Sequence, residues 1–267
     1  MSESPLAGKR RGSAGGGAAG ALRGQVALVT GGSRGIGRAI AIAMGREGAF
    51  VFVNYRRDHR AARECVARVC EAGGKAEALR ADVADPRDIG AMFSRITRHA
   101  PGLTILVNNA GIAPAAPAFT RVTLGIWNRT LATNLTGAFL CTQAAAQLMR
   151  HRRGGRIIFV GSVAARRGGT IGPHYAASKA ALLGLMAWGV QELSPYGITV
   201  NVVAPGFVET TMTAAAYHTP AARARLAAQV PLGRVGTLED IGAAVAFLAA
   251  PHAGYITGEC LTIAGGR

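Results

Sequence analysis

Tyr175 and Lys179 lie four residues apart in a predicted helix that Pro173 opens. Residues at this spacing share one face of a helix, so the phenol and the ammonium group are predicted to be neighbours. A nearby positive charge favours phenolate, so a hydroxyl with an unperturbed pKa of about 10 can exchange protons nearer neutral pH. The pair is typical of proton transfer to a substrate oxygen. The alternative is a surface tyrosine that merely lies beside a helical lysine.

A serine and an asparagine extend this set. Ser162 follows the apolar strand predicted at residues 156–160, where its hydroxyl can meet the same substrate atom as Tyr175. Asn134 lies in an apolar stretch of a long predicted helix, and a buried amide is costly unless its hydrogen bonds are made. Asn134 is therefore either a satisfied core residue or the holder of a water molecule that relays protons to Lys179.

A glycine-rich turn at residues 30–37 has the strand–turn–helix context of a dinucleotide-binding site. Gly31 permits a tight turn, Gly35 lets backbone N–H groups approach a pyrophosphate, and Gly37 lets the helix lie close to the strand. The spacing differs from the common G-x-G-x-x-G, and many glycine turns only connect elements. The flanking strand and helix nevertheless favour a nucleotide site. Its predicted contacts in this turn are Gly31, Ser33, Arg34, Gly35, Ile36 and Gly37.

The end of the second predicted strand selects between nicotinamide cofactors. An acidic residue there would bind a ribose 2′-hydroxyl, but this chain has the sequence Asn-Tyr-Arg-Arg at residues 54–57. Arginines bind a 2′-phosphate in forked geometry, and Arg34 adds another cation nearby. The sequence therefore predicts NADP(H) rather than NAD(H), unless these arginines simply face solvent. The contacts predicted here are Asn54, Tyr55 and Arg56.

Two further strand ends are predicted to complete the nucleotide site. Asp82 and Val83 suit an adenine pocket in which Asp82 accepts a hydrogen bond from the exocyclic amine. The alternative role of Asp82 is that of a helix N-cap. The fourth strand leads into Asn109, Ala110 and Gly111, whose amides and small side chains can pass close to the cofactor.

The elements that must position these residues alternate between strand and helix. Apolar strands are predicted at residues 26–29, 50–54, 75–80, 103–107, 156–160, 198–203 and 260–263, and helices at 38–47, 58–72, 86–99, 124–152, 175–193 and 238–250. Strands this apolar, each followed by a helix, indicate a parallel sheet covered on both faces. The predicted fold class is α/β, a Rossmann-type doubly wound sheet of seven parallel strands in a single domain.

The 267 residues, 49% of them hydrophobic, are enough for one substantial core. Residues 1–23 are rich in Gly, Ala and Ser and have no hydrophobic period, so we expect a disordered basic tail before a domain at residues 24–267. No membrane span or signal-peptide core is evident, which favours a cytoplasmic protein without a membrane partner. Residues 207–230 are predicted to form a lid over a substrate pocket bordered by residues 113–119 and 163–170.

The formal charge of +16 comes from 30 basic residues, of which only Lys9, Lys75 and Lys179 are lysines. The excess is spread along the chain and aromatic residues are not interleaved with it, which argues against a nucleic-acid partner. Phosphate-bearing cofactors and acidic carrier partners explain the sign equally well. The four cysteines have no zinc spacing and the histidines are scattered, so no metal site is predicted.

Together these motifs resemble the short-chain dehydrogenase/reductase family over residues 24–266. Its TGxxxGxG pattern falls on residues 30–37 and its NNAG pattern on residues 108–111. Its catalytic Asn-Ser-Tyr-Lys set falls on Asn134, Ser162, Tyr175 and Lys179. The resemblance implies hydride transfer from NADPH to a ketone carbon, with Tyr175 as proton donor and Lys179 holding the nicotinamide ribose. It also implies nicotinamide contacts at Pro205, Gly206, Val208 and Thr210.

Within that family the chain is most similar to the 3-oxoacyl-[acyl-carrier-protein] reductases, through the strings at residues 175–179, 197–201 and 205–210. The resemblance implies an acyl-carrier-bound substrate and a homotetramer. One departure is Tyr196, in a segment where those reductases place a carrier-binding arginine; Arg150, Arg152 and Arg153 can supply basic contacts instead. The alternatives are a reductase of another small ketone, a sugar-like or a steroid-like substrate, and a non-catalytic NADP-binding regulatory protein.

Overall fold

The computed structural model describes residues 20–98, 102–210 and 219–267. In these ranges seven parallel strands form one sheet in the order β3-β2-β1-β4-β5-β6-β7. The strands are β1 Val26–Val29, β2 Phe50–Tyr55, β3 Lys75–Arg80, β4 Ile105–Asn108, β5 Gly155–Val160, β6 Ile198–Pro205 and β7 Cys260–Ile263. The order reverses direction between β1 and β4, as in doubly wound dinucleotide-binding sheets. The predicted fold class is confirmed.

Helices cover both faces of the sheet, because side chains alternate along each strand and both sets are apolar. In β1, Val26 and Leu28 pack into one buried cluster with helices α3, α5 and α7, while Ala27 and Val29 pack into the other with α1, α2 and α9. The helices are α1 Gly35–Arg46, α2 His59–Glu71, α3 Pro86–Thr97, α4 Leu124–Leu131, α5 Gly137–Arg152, α6 Ala164–Arg167, α7 Pro173–Leu193, α8 Pro220–Ala227 and α9 Leu238–Ala249. Among the described residues, none of these helices has the length and apolarity needed to cross a membrane.

The helix predicted as one element at residues 124–152 is interrupted. Its two α-helical parts, α4 and α5, are joined by a π-helical segment, Ala132–Thr136. Immediately after it, a Cβ atom at Gly137 would lie 2.5 Å from the carbonyl oxygen of Val83, so α5 begins in close contact with the segment after β3. Single-turn π segments are frequent at functional sites, and this one contains Asn134.

Short polar side chains fix where several helices start. Asp85 accepts a hydrogen bond from the Arg87 N–H at 2.8 Å and caps α3, with proline at the first helical position. Asp82 instead accepts from the Ala84 N–H at 3.0 Å within the preceding turn. The N-cap role that the sequence left open for Asp82 therefore belongs to Asp85.

The ordered domain begins earlier than the boundary predicted at residue 24. Leu22 is fully buried, and its N–H donates to the carbonyl oxygen of Glu47 at 2.8 Å. The Ala21 N–H donates to the Glu47 carboxylate at 2.9 Å. Residues 20–23 therefore pack against the end of α1, whereas the tail prediction for residues 1–19 lies outside the described residues.

Only part of the predicted lid at residues 207–230 can be described. Residues 211–218 lie outside the described residues, and α8 follows them with Thr219 as its N-cap. Arg223 of α8 forms an ion pair with Glu209 at 2.7 Å. This pair attaches α8 to the segment that leaves β6, beside the carboxyl edge of the sheet.

Candidate active site

The turn between β1 and α1 is built so tightly that glycine is required. Gly31 has a positive φ of 60°, and its N–H donates to the Asn54 side-chain oxygen at 3.1 Å. A Cβ atom on Gly37 would lie 2.3 Å from the Gly31 carbonyl oxygen and 2.5 Å from the Asn109 amide nitrogen. The first turn of α1 therefore lies directly against the loops that end β1 and β4.

The N-terminus of α1 is open to a ligand. Its N-cap is Arg34, an exposed residue whose side chain makes no capping hydrogen bond, and the first turn contains no acidic residue. Gly35 has a φ of 53°, and the nearest atom to a Cβ placed there would be the Thr210 Cβ at 3.9 Å. Uncapped N–H groups at a helix N-terminus favour an anion, so this turn fits a dinucleotide pyrophosphate.

Two other predicted turn contacts support the loop from within. Ser33 is buried, and its carbonyl oxygen accepts from the Arg38 side chain at 2.9 Å. Ile36 packs, partly buried, against the cluster that contains α1 and α9. Both residues are thus part of the packed turn, and their contacts with a nucleotide stay predictions.

The residues predicted at the end of β2 divide into a buried pair and an exposed arginine. Asn54 is 2% exposed, and its amide nitrogen donates to the Leu79 and Ala81 carbonyl oxygens at 3.3 and 3.0 Å. The Tyr55 hydroxyl bonds to His59 Nδ1 at 2.7 Å. Both side chains are thus engaged inside the protein, and the contacts of Asn54 and Tyr55 with the cofactor stay predictions. Arg56 is partly exposed and forms an ion pair with Asp82 at 3.4 Å.

Asp82 and Val83, predicted to line an adenine pocket, also differ in exposure. The Asp82 carboxylate is partly exposed and is shared between Arg56 and the Ala84 N–H. Val83 is 5% exposed and belongs to the core cluster against α3 and α5. Asp82 thus remains accessible to an adenine amine, while Val83 forms the buried floor beneath it.

Thr30 holds the β4 loop against the glycine turn, a role that the sequence analysis did not assign. Its hydroxyl accepts from the N–H groups of Asn109 and Ala110 at 2.9 and 3.0 Å and donates to the Val107 carbonyl at 3.2 Å. The Asn109 amide nitrogen donates to the Thr30 and Gly31 carbonyl oxygens at 2.9 and 3.1 Å. A threonine at the end of an apolar strand was the available signal.

The candidate catalytic hydroxyls meet at the carboxyl end of β5. Ser162 follows β5, and its Oγ accepts from the Ala164 N–H at 3.1 Å. Tyr175, in the first turn of α7, is 9% exposed. Burial raises the pKa of the Tyr175 phenol, and the nearby Ser162 hydroxyl lowers it, with burial the stronger effect. The phenol is thus protonated at neutral pH, as a proton donor must be.

Lys179 is placed beside Tyr175 as the helical spacing predicts, but it interacts with the backbone. Its Nζ lies 5.8 Å from the centre of the Tyr175 ring and donates to the Val160 carbonyl oxygen at 2.7 Å. Burial lowers the pKa of the Lys179 ammonium to about 8. The predicted lowering of the Tyr175 pKa by Lys179 is therefore wrong for this structure, in which the tyrosine pKa is raised.

Stability should depend on pH through Lys179. Below about pH 8 the native and unfolded chains both hold the proton, and the cost of burying the charge is fully present. Between about pH 8 and 10.5 the native state releases the proton first, so the free energy of unfolding is expected to rise. We expect the wild type to gain on the order of 3 kcal/mol more than Lys179→Met over this window. Urea unfolding at stepped pH measures the difference, and parallel curves would contradict it.

The Asn134 side chain has its hydrogen-bond partners within the protein, and its role as the holder of a relay water stays a prediction. Its oxygen accepts from the Ile112 N–H at 2.8 Å, and its nitrogen donates to the Ile112 carbonyl and to Ser178 Oγ, both at 3.0 Å. It still lies in the site. A Cβ atom on Gly111 would be 3.4 Å from the Asn134 oxygen and 3.6 Å from Lys179 Nζ, so the three residues meet.

The segment after β6 closes the other side of the crevice. The Pro205 carbonyl accepts from the Val163 N–H at 3.0 Å, and the Gly206 N–H donates to the Ile263 carbonyl at 2.9 Å. A Cβ atom on Gly206 would lie 2.7 Å from the Ala264 Cβ. Val208 is 4% exposed and packs in the core, and its contact with the nicotinamide carboxamide stays a prediction. Thr210 lies beside Gly35, on the nucleotide side.

Comparison with known proteins gives the family. A family described as "Enoyl-(Acyl carrier protein) reductase" matches residues 31–267. The chain is 42% identical over 245 residues to the 3-oxoacyl-[acyl-carrier-protein] reductase FabG of Escherichia coli (strain K12), covering 92% of this chain and 98% of that protein. A solved short-chain dehydrogenase/reductase from Serratia marcescens is 41% identical, with a TM-score of 0.85 and coverage of 92% and 98%.

The chain belongs to the short-chain dehydrogenase/reductase family. The predicted family is thereby confirmed. The prediction that the chain is an oxidoreductase with a nicotinamide cofactor is confirmed with it. The 3-oxoacyl-[acyl-carrier-protein] reductase of Synechocystis sp. (strain ATCC 27184 / PCC 6803 / Kazusa) is a further relative, 40% identical over 92% of this chain and 98% of its own length.

In this short-chain dehydrogenase/reductase, Ser178 and His174 connect α7, the helix that carries Tyr175, to Asn134 and Pro114. The sequence analysis assigned neither role. Ser178 Oγ accepts from Asn134 and donates to the Tyr175 carbonyl oxygen at 2.8 Å. His174 is fully buried, and its Nε2 bonds to the Pro114 carbonyl at 2.9 Å. The sequence signal was a polar residue directly before each member of the pair, His174 before Tyr175 and Ser178 before Lys179.

These contacts fasten the loop at residues 112–116 to α7. Asn134 binds both backbone groups of Ile112, and His174 binds Pro114. The Ala116 N–H donates to the Ile171 carbonyl at 3.0 Å, and Gly172, with φ 144°, leaves space for the Ala116 carbonyl, which would lie 2.2 Å from a Cβ there. One wall of the short-chain dehydrogenase/reductase site is thus tied to the helix that carries Tyr175.

Proposed function

We propose that this chain reduces a ketone to a secondary alcohol with NADPH, and that a 3-oxoacyl thioester is the substrate class. The observation that carries the proposal is the placement of the buried Tyr175 beside Ser162, with Lys179 one turn away, at the carboxyl edge of a sheet whose glycine turn fits a dinucleotide. FabG of Escherichia coli, a named 3-oxoacyl-[acyl-carrier-protein] reductase, is similar along nearly its whole length and supports the substrate class.

A bound nicotinamide would supply the hydride, and side chains of the protein bind and protonate the carbonyl oxygen. Ser162 donates a hydrogen bond to that oxygen, and Tyr175 donates a second one and then its proton. Negative charge that grows on the oxygen is met by two donors already in place, which lowers the barrier without a cost of reorganisation. Lys179, with a pKa of about 8, is mostly charged at neutral pH and holds the ribose.

The proposal includes a preference for NADPH that rests on Arg34 and Arg56. Arg34 lies in the glycine turn, and Arg56 follows the end of β2. Arg56 forms one partly exposed ion pair, with Asp82, which contributes little stability and can open. We expect the double variant Arg34→Ala, Arg56→Ala to lower kcat/KM for NADPH about 30-fold, because forked contacts to a 2′-phosphate are lost. Initial rates with each cofactor measure this.

The matched comparison is the same double variant assayed with NADH, which has no 2′-phosphate. Its kcat/KM should change by less than about threefold. Arg46→Ala, an exposed arginine at the far end of α1, serves as the charge control. Equal losses with both cofactors, or a wild type that uses NADH as well as NADPH, would remove the basis for the preference.

A turnover assay with several substrate types separates the remaining functions. The panel should contain acetoacetyl thioesters, simple β-keto esters, sugar-like and steroid-like ketones, and an enoyl thioester, since the matching family is described by enoyl reduction. Oxidation of NADPH by the ketones supports the proposal. NADPH binding without turnover of any compound would favour the alternative, a non-catalytic regulatory protein.

An acyl-carrier partner and a homotetramer belong to the same proposal. Arg152 and Arg153 are exposed at the end of α5 and suit an acidic carrier. Arg150 is less free, because it stacks on the Tyr196 ring at 4.3 Å and pairs with Glu192 at 3.6 Å. Phe139 of α5 and Trp188 of α7 are 45% and 67% exposed, which supports burial of these two helices between subunits.

A further inference from the structure

A cavity of about 340 Å³ adjoins the catalytic serine on the side of β6 and β7. One wall is the segment at residues 162–167, which contains Ser162 and the short helix α6. The opposite wall is formed by the carboxyl end of β6 and by β7, through residues that include Ala204, Cys260 and Thr262. The volume of the cavity is within the range of small-molecule sites. Its lining includes Ser162 but no residue of the loop at 112–116.

The side-chain charges that line this cavity are positive. Arg166, Arg167 and Arg267 line it, and no described Asp or Glu side chain does. Within the described parts of the chain, neither Arg166 nor Arg167 forms an ion pair. Arg267 is positioned by stacking on the Phe207 ring, 3.7 Å from its centre. The two guanidinium groups without an ion-pair partner, Arg166 and Arg167, favour an anionic ligand.

The cysteine in the wall reports that this charge reaches the cavity. Cys260 is partly exposed, and burial raises the pKa of its thiol, while the charge of Arg166 lowers it and that of Glu259 raises it. Arg166 is therefore close enough to act on a group that lines the opposite wall.

We propose that this cavity is a subsite for an anionic group of the ketone substrate, a carboxylate or a phosphate, bound by Arg166 and Arg167 with Arg267. The inference rests on the proposed ketone reduction, because it places the anionic end of the substrate next to the carbonyl that Ser162 holds. It departs from the 3-oxoacyl thioester named above: a ketone with a negative charge close to its carbonyl is preferred over a neutral ketone of the same size. Arginine suits both candidate groups because its fork matches their oxygen pairs.

Cys260 allows a test that does not depend on turnover. In a Cys70→Ser background, which removes the exposed thiol, Cys260 is labelled with a dianionic disulfide, 5,5′-dithiobis(2-nitrobenzoate), and with neutral 4,4′-dithiodipyridine. Both reagents need the thiolate, so the ratio of their rates cancels any change in the pKa of Cys260. Replacing Arg166 and Arg167 with glutamine should lower the anionic-to-neutral ratio at least fivefold. An unchanged ratio overturns the subsite.

Kinetics with matched substrates test the assignment to substrate. Acetoacetate and ethyl acetoacetate share one ketone and differ by a carboxylate charge; hydroxyacetone phosphate and methoxyacetone share one ketone and differ by a phosphate. The variant Arg166→Gln, Arg167→Gln should raise KM about tenfold or more for the charged member of one pair, which identifies the group, and less than twofold for its neutral partner. Each single variant should give part of the effect, and Arg46→Ala none.

The outcomes separate the two proposals. If the wild type reduces neutral and charged ketones equally well and the variant changes neither, the subsite is wrong while ketone reduction stands. If the labelling ratio falls but KM for both charged substrates is unchanged, the cavity binds anions that are not substrate, and the assignment is overturned. If no ketone is reduced, the proposed function fails, and the labelling ratio still decides whether the cavity binds anions.

Discussion

Replacing Tyr175 with phenylalanine is expected to lower kcat by on the order of 10³-fold, the scale of general acid catalysis, while the Kd for NADPH stays within about threefold. The change removes one hydroxyl and keeps a ring that is 9% exposed and packed beside Lys179. That hydroxyl is the proposed proton donor, and Ser162 lies close enough to it to affect its pKa. Hydride transfer would then leave charge on an oxygen with one hydrogen bond and no proton source.

The measurement is single-turnover kinetics with NADPH and an acetoacetyl thioester, beside a fluorescence titration of NADPH binding. Tyr255→Phe is the matched control, since Tyr255 is fully exposed and the same hydroxyl is removed from the surface. Its kcat should equal that of the wild type. A Tyr175→Phe variant that retains near wild-type kcat would show that the proton comes from another group, and the proposed mechanism would have to be abandoned.

Gly37→Ala is expected to have the second largest effect. The new methyl group would lie 2.3 Å from the Gly31 carbonyl oxygen and 2.5 Å from the Asn109 amide nitrogen. Neither can move freely, because Asn109 bonds to the carbonyls of Thr30 and Gly31, and Gly31 is held by Asn54. We expect the free energy of unfolding to fall by about 2–3 kcal/mol, as in overpacked cores. The affinity for NADPH should fall about 100-fold, because the turn that receives the pyrophosphate is displaced.

Gly90→Ala is the control for this substitution. Gly90 lies in α3, is exposed, and would place its Cβ with nothing within 4 Å. There alanine should leave NADPH binding unchanged and stabilise the protein by up to about 1 kcal/mol, through its helix propensity. Chemical denaturation and NADPH titration of both variants decide the matter. Indistinguishable behaviour of the two would mean that the contact at Gly37 is not the constraint described above.

The strands and the catalytic helix could be predicted because their signals are local. Successive side chains of β1 pack on opposite faces of the sheet, and Tyr175 and Lys179, four residues apart, share one face of α7. Both facts follow from backbone periodicity. The π-helical segment around Asn134 could not, because one extra residue in a helical turn leaves no periodic trace in the sequence. The π-helical segment is seen only in the structure, where α5 begins in close contact with Val83.

The partners of polar side chains were the least predictable part of the site. Residue type indicated that Asn54, Tyr55 and Asn134 carry useful groups, but each has its hydrogen bonds made within the protein. Lys179 likewise donates to a strand carbonyl. Such pairings depend on elements distant in sequence, so the residues could be named from the sequence while their hydrogen-bond partners could not. The exposed cations, Arg34 and Arg56, keep the role predicted for them as a proposal.

The fastening of residues 112–116 to α7 has a practical consequence for redesigning selectivity. Because His174 and Asn134 anchor that loop, exchanging it for another sequence would also displace the phenol, and altered selectivity would arrive together with slower turnover. Engineers who want a new substrate range at full speed should randomise the α6 side of the pocket instead, where Arg166 and Arg167 contribute no hydrogen bond to the catalytic helix in the described structure.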